Sequence, residues 1–289
     1  MAYGTGRARA VATIAVAAAL LAGCDSAGRV AQGGPRIAVL EEDKTGSTSV
    51  NIESLTDVVS RNPNDASAYN TRGAAYARSG RYGDAVGDFN KALQIDPNNA
   101  PAYTNRALAY RQTSKNDAAM ADFSRAIQAD GNYGPAYIGR ANLYRVQGAY
   151  DAALADLSQA IRLTPESAEA LHARGLVYQR MGRHREAVID FDAAVDRNAF
   201  VAAPYAARGQ SLIALGQYDK AVEDFNAALN VNNRDAETWA NRGLAYEKLG
   251  KRQEAVESYT RATGIETGNA TARQGLARLQ GGVGGLFRG

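Results

Sequence analysis

The chain has 289 residues, 45% of them apolar, with 33 lysines and arginines against 30 aspartates and glutamates. That length and apolar share are enough to bury a core, and a formal net charge of +3 gives no whole-protein basic field of the kind that argues for nucleic acid. The single cysteine, Cys24, excludes a disulfide within one molecule and any cysteine metal cluster.

Residues 1–24 open with Arg7 and Arg9, carry no acid, and continue in an apolar run from Val11 to Leu21. The order reads as an export signal, and the run is short for a permanent membrane helix. It ends in Leu21-Ala22-Gly23-Cys24, which resembles the bacterial lipobox. The resemblance implies cleavage before Cys24 and acylation of its thiol and new amino group. An ordinary signal peptide or a single-pass anchor, with Cys24 incidental, is the other reading of the same residues. Two or more acyl chains hold a protein stably where one holds it marginally, at about 0.8 kcal/mol per buried methylene. Cleavage leaves 31 basic against 30 acidic residues, close to neutral.

Residues 25–51 are polar, with Gly33-Gly34-Pro35 and Gly46-Ser47-Thr48-Ser49, and read as a flexible tether. Residues 52–65 read as an N-terminal capping element, helical from Ile52 to Arg61, with Leu55 and Val58 as its inward residues.

From Ala66 a pattern of 34 residues runs six times without insertion or deletion, over 66–99, 100–133, 134–167, 168–201, 202–235 and 236–269. A fixed period decides the architecture before any local signal does. The fourth residue is large: Tyr69, Tyr103, Tyr137, Leu171, Tyr205, Trp239. The eighth is small: Gly73, Ala107, Ala141, Gly175, Gly209, Gly243. The eleventh is Tyr76, Tyr110, Tyr144, Tyr178, Leu212, Tyr246. Alanine holds positions 20 and 27 throughout, and position 24 is Phe89, Phe123, Leu157, Phe191, Phe225 or Tyr259. Positions 4, 8 and 11 share one helical face, and 20, 24 and 27 another, so each unit holds two amphipathic helices, A and B. Glycine between them, as at Gly182, suits the left-handed conformation that ends a helix. One pair cannot bury its apolar stripe alone, but stacked pairs can. Residues 270–280 read as a C-terminal capping helix with Leu276 and Leu279 facing the last pair, and 281–289 as a disordered glycine-rich tail.

The period and these residues resemble the tetratricopeptide repeat, over about seven tenths of the chain. Pro97 and Pro165 fill that family's proline position, while Gly131, Ala199, Asn233 and Thr267 depart from it. The resemblance implies an all-α, right-handed superhelical solenoid of six helix pairs with partial capping helices at both ends.

Two sets of residues are candidates for a site. Arginine is seventh in every unit, at Arg72, Arg106, Arg140, Arg174, Arg208 and Arg242. Aspartate is twenty-third in five, at Asp88, Asp122, Asp156, Asp190 and Asp224, with Ser258 in the sixth. The matched ladders predict internal ion pairs, since a partly buried arginine wants a fork-shaped carboxylate; a row of arginines gripping an acidic ligand is the alternative. The second set follows from the resemblance, which places positions 2, 5, 6, 9, 12 and 13 on the inner surface. There stand Asn70, Asn105, Arg111, Asn142, Arg145, Arg180, Gln210 and Asn241, with His172. Asparagines can hydrogen-bond an extended peptide backbone, and arginines can take carboxylates. The family's lysine and asparagine carboxylate clamp is not intact here. His172 and His184 are the only histidines, and no spacing for a metal, a catalytic triad or a phosphate loop stands out.

The expectation is therefore a non-enzymatic scaffold without cofactor, metal, nucleic acid or small-molecule substrate. It would be lipid-anchored at Cys24 in a bacterial envelope, facing the periplasm, and would hold other proteins or peptides in its groove. The resemblance extends to envelope lipoproteins that bring cell-wall hydrolases to proteases or synthases, and to others that assemble pili or secretion machines. A soluble periplasmic adaptor and an enzyme are the remaining alternatives.

Overall fold

The computed structural model of the chain describes residues 47–281, with side chains from Ile52 to Leu279. The export signal with Cys24, the tether up to residue 46 and the tail after Gly281 lie outside the described residues. Among the described residues there are fourteen α-helices and no strand. The first is α1, Ser47–Arg61. Six A–B pairs follow: α2 Ala66–Arg78 with α3 Tyr82–Ile95, α4 Ala100–Gln112 with α5 Asn116–Ala129, and α6 Gly134–Val146 with α7 Tyr150–Leu163. The others are α8 Ala168–Arg180 with α9 His184–Arg197, α10 Ala202–Ala214 with α11 Tyr218–Val231, and α12 Ala236–Lys248 with α13 Arg252–Ile265. Helix α14, Ala270–Gly281, closes the stack. Among the described residues no helix is long and apolar enough to cross a membrane.

Local chemistry sets the helix limits. Asp65, Asn99, Ser167 and Asp235 cap α2, α4, α8 and α12 by accepting from backbone N–H groups of the first turn. Between A and B, Gly182 turns at φ 72°, as glycine does in four other units. The second unit lacks that glycine, and Ser114 takes the left-handed turn at φ 59°, a conformation that costs a non-glycine residue roughly 1–2 kcal/mol.

Helix α1 begins at Ser47, five residues earlier than the reading of 25–51 as tether allowed. Serine and threonine suit helix starts as well as linkers, so the run Ser47-Thr48-Ser49 did not discriminate. The helix ends at Arg61, so residues 62–65 form the turn into α2. Val58 is 43% exposed and Val59 is 6% exposed, so the inward residue is Val59. Among the described residues no helix precedes α1, and α1 packs on α2, which covers Val59 and leaves Val58 exposed.

The core runs along the stack. The position-20 alanines are fully buried, as are Phe89, Phe123, Phe191, Phe225 and Tyr259 at position 24; each such side chain contributes about 1.5–3 kcal/mol by burial. The rings press on small residues. A Cβ added at Gly139 would stand 2.2 Å from the Phe123 ring, and one at Gly175 2.5 Å from Phe191. At the end, Leu276 and Leu279 pack with Trp239, Tyr246 and Tyr259.

Each A helix touches the next A helix, from α2·α4 through α12·α14, whereas no B helix touches another B helix. In a curved stack, neighbours approach most closely on the inner side. The A helices therefore line the concave surface and the B helices the convex one.

Candidate functional site

The arginine and aspartate ladders meet. Arg72 donates from Nε to Asp88 at 2.7 Å and from Nη2 at 2.7 Å. The same two-pronged contact joins Arg106 to Asp122, Arg140 to Asp156, Arg174 to Asp190 and Arg208 to Asp224, all between 2.5 and 2.8 Å. Each pair ties helix A to helix B of the same unit. The Arg106 and Asp122 side chains are only 12% and 3% exposed. Most rungs also reach back one unit through Nη1, which the sequence reading missed. Arg72 donates to Thr56, Arg106 to Asn90, Arg140 to Ser124, Arg208 to Asp192 and Arg242 to Asn226. These acceptors all occupy position 25, counting Thr56 in the capping helix, so the period could have revealed them.

The tyrosines at positions 4 and 11 are not the fully buried core residues their spacing suggested. They are half-buried and bracket the guanidinium: Arg72 lies 5.7 Å from both the Tyr69 and Tyr76 ring centroids, within cation–π range. The sixth rung differs. Arg242 donates to the Ser258 hydroxyl at 3.1 Å and stacks 4.2 Å from Trp239. Without a carboxylate, burial pushes its pKa down, whereas the bond to Asp88 raises that of Arg72.

The inner-face residues behave differently. Asn105 donates to Asn70 at 3.0 Å, joining α4 to α2. Asn142 and Gln210 are half-buried and make no side-chain hydrogen bond to the described protein, and the Asn241 amide nitrogen is enclosed without a partner. Arg111, Arg145 and Arg180 stand in the last turns of α4, α6 and α8. Arg145 Nε is enclosed and has no partner. Burial pushes the Arg145 pKa down, and the charges of Arg180 and Arg111 push the same way; burial also lowers that of Arg111.

Two further groups join this cluster. His172 is held to a pKa of about 4, by burial and then by Arg145, and is neutral at pH 7. Glu169, absent from the sequence-derived set, has its carboxyl pushed up by burial and drawn back by Arg111. It is open to solvent yet walled by protein, as a groove side chain can be. Position 2 of the fourth unit was the signal that could have found it. Among the described residues no group of three or more histidine, cysteine or acidic side chains is arranged to hold a metal ion. A hollow of about 230 Å³ beside α10 and α11 is lined by Asp192, Arg208 and Asp224, whose charges are already tied to one another.

Family models described as tetratricopeptide repeat match residues 66–99, 89–121, 168–200 and 236–269, and one described as TPR repeat matches 141–182 and 209–250. The chain belongs to the tetratricopeptide repeat family. The match over 89–121 starts inside a B helix, as a quasi-one-dimensional stack allows. Comparison with curated proteins gives no match.

Among solved structures, the anaphase-promoting complex assembly Cut9–Hcn1 matches with TM-score 0.73 and 20% identity over 83% of this chain; this tetratricopeptide repeat chain spans 47% of the length of that one. YrrB, a TPR protein with an unusual peptide-binding site, matches with TM-score 0.52 and 24% identity over 64% of this chain and 96% of its own. PilW, a type IV pilus biogenesis factor, matches with TM-score 0.66 and 17% identity over 72% of this chain and 97% of its own. At these identities the likeness is one of fold. The ladder ties helix A to helix B within a unit and, through Nη1, to the unit before it. Arg145 Nε and the Asn241 amide nitrogen are the inner-face donors enclosed without a partner.

Proposed function

We propose that the chain is a scaffold that holds segments of partner proteins along the groove of its A helices and performs no chemistry of its own. The observation that carries this reading is the contrast in polar groups. The position-7 arginines are committed to internal partners, while Arg111, Arg145, Arg180 and the Asn241 amide are not. Desolvated donors without partners cost free energy in the unbound protein, and a ligand that accepts from them recovers it. Family membership supports the same reading. In this proposal the chain is exported, cut before Cys24 and held by acyl chains to a bacterial membrane, facing the periplasm, as residues 1–24 suggest. A role in assembling a pilus or secretion machine is the second reading, favoured by the shared fold with PilW.

The test is site-specific photo-cross-linking in intact cells from position 142 or 210, with capture compared against a probe on the convex face. Recurrent capture of one protein from the groove alone supports the scaffold, and equal capture from both faces rejects it. Mass spectrometry of the mature N-terminus tests the anchor: a diacylglyceryl adduct on Cys24 is expected, and an unmodified thiol rejects it.

A further inference from the structure

Resting on the reading of the inner groove as the binding surface, we infer that its second, third and fourth repeats select an acid-rich extended segment of a partner protein. Arg111, Arg145 and Arg180 are the selecting groups.

The three lie on consecutive A helices that touch one another, α4 on α6 and α6 on α8, each in the last turn. They therefore form one row across the groove. Among the described residues, none donates a side-chain hydrogen bond and no carboxylate lies within 4 Å of any of them. The position-7 arginines, in the same helices, each hold a polar acceptor at 3.1 Å or closer. At Arg145 the row is not neutralised locally. Arg145 feels the positive charge of both neighbours, its Nε is shut away from solvent without a partner, and the adjacent His172 is uncharged. Glu169 offsets part of the field at Arg111.

Helix C-termini favour such cations through the macrodipole, by about 0.3–1 kcal/mol each, but that term supplies no partner for the enclosed Arg145 Nε. Anionic oxygens from outside complete the site.

Spacing selects the form of the anion. Packed helices lie about 8–10 Å apart, and a segment in the extended polyproline-II form advances about 3.1 Å per residue with three residues per turn, so an acid at every third residue falls on the same face and on successive arginines. One carboxylate or one phosphate ion reaches only one or two of the three. A net charge of +3 for the whole chain and tyrosines already bracketing the ladder arginines favour an acidic protein segment over single-stranded nucleic acid, which wants free aromatic platforms.

The test uses the purified full chain and a fluorescein-labelled peptide of about twelve residues with glutamate at every third position among serine and alanine. A glutamine version and a short oligothymidine serve as the other arms, all read by anisotropy. The glutamate peptide is expected to bind about tenfold tighter than the glutamine one, to weaken with salt, and to lose that advantage in Arg145→Gln and Arg111→Gln. Thermal stability of both variants is expected to hold or rise, since mutual repulsion is removed. The exposed Arg180→Gln gives a third variant outside the core. Equal binding of the two peptides, binding unchanged in all three variants, tighter binding of oligothymidine, or variants that unfold would each overturn the inference. The groove reading is judged apart from it: capture from position 142 or 210 that persists in Arg145→Gln leaves the groove standing and removes its acid selectivity.

Discussion

Two rows of arginine run through the same A helices and do opposite things. The row at position 7 faces helix B, where aspartate meets it with two hydrogen bonds and flanking rings enclose it. The row at positions 12 and 13 faces the concave side, where neighbouring repeats bring arginine beside arginine. Residue type is the same and so is the helix. The side of the helix decides whether a guanidinium meets an internal carboxylate or is left without one. A buried ion pair is weak evidence for stability in itself, but breaking one leaves a desolvated charge alone.

The sharpest break is Arg106→Ala. It leaves Asp122, 3% exposed at the side chain, with only the largely exposed Arg125 at 3.7 Å as an ionic partner, and should cost about 3 kcal/mol. Hydrogen exchange in α4 and α5 should detect it locally, because stability in a stack is a sum over neighbours. Full protection in the variant would mean that the ladder does not hold the pairs together. The second effect concerns His172, beside the free row. Its folded pKa of about 4 lies below its ordinary value of 6.5, so between those values the unfolded chain binds more protons. Stability should then be flat above pH 6.5 and fall as pH drops towards 4, by up to about 3 kcal/mol. His172→Gln should flatten that fall relative to the parent, and two identical pH profiles would mean that His172 is freely protonated in the groove.

A smaller effect sharpens the comparison from within the ladder. Ser258 stands where five units have aspartate. Ser258→Asp should supply Arg242 with a carboxylate and raise the unfolding free energy by on the order of 1–2 kcal/mol, read as a higher unfolding midpoint. A drop would show that the last rung has repacked around serine. The smallest change is expected for Arg145→Gln, within about 0.5 kcal/mol of the parent or more stable. A loss as large as that of Arg106→Ala would erase the distinction between the rows.

Much of this was legible beforehand. The start of every A helix followed from the 34-residue register, because the same face must recur for units to nest. The partners Arg72 and Asp88, 16 residues apart, could be matched because the spacing repeats with them. The second acceptor at position 25 escaped notice because asparagine, serine, threonine and aspartate alternate there, and only geometry makes them equivalent. Val59 rather than Val58 is covered because, among the described helices, α1 packs on α2 alone, and no spacing in the sequence sets that angle. Glu169 stands at position 2 of its unit, where serine, proline and alanine also occur, so residue type did not single it out.

What the sequence determined alone was the unit, its two helices and the number of copies, since apolar periodicity is a local property written into each repeat. What only the tertiary structure decided was which polar side chains meet. Arg111, Arg145 and Arg180 are more than thirty residues apart from one to the next, and their mutual repulsion exists only because touching A helices bring their last turns side by side. Distance between such groups is set by how one pair stacks on the next, and no single repeat contains that information.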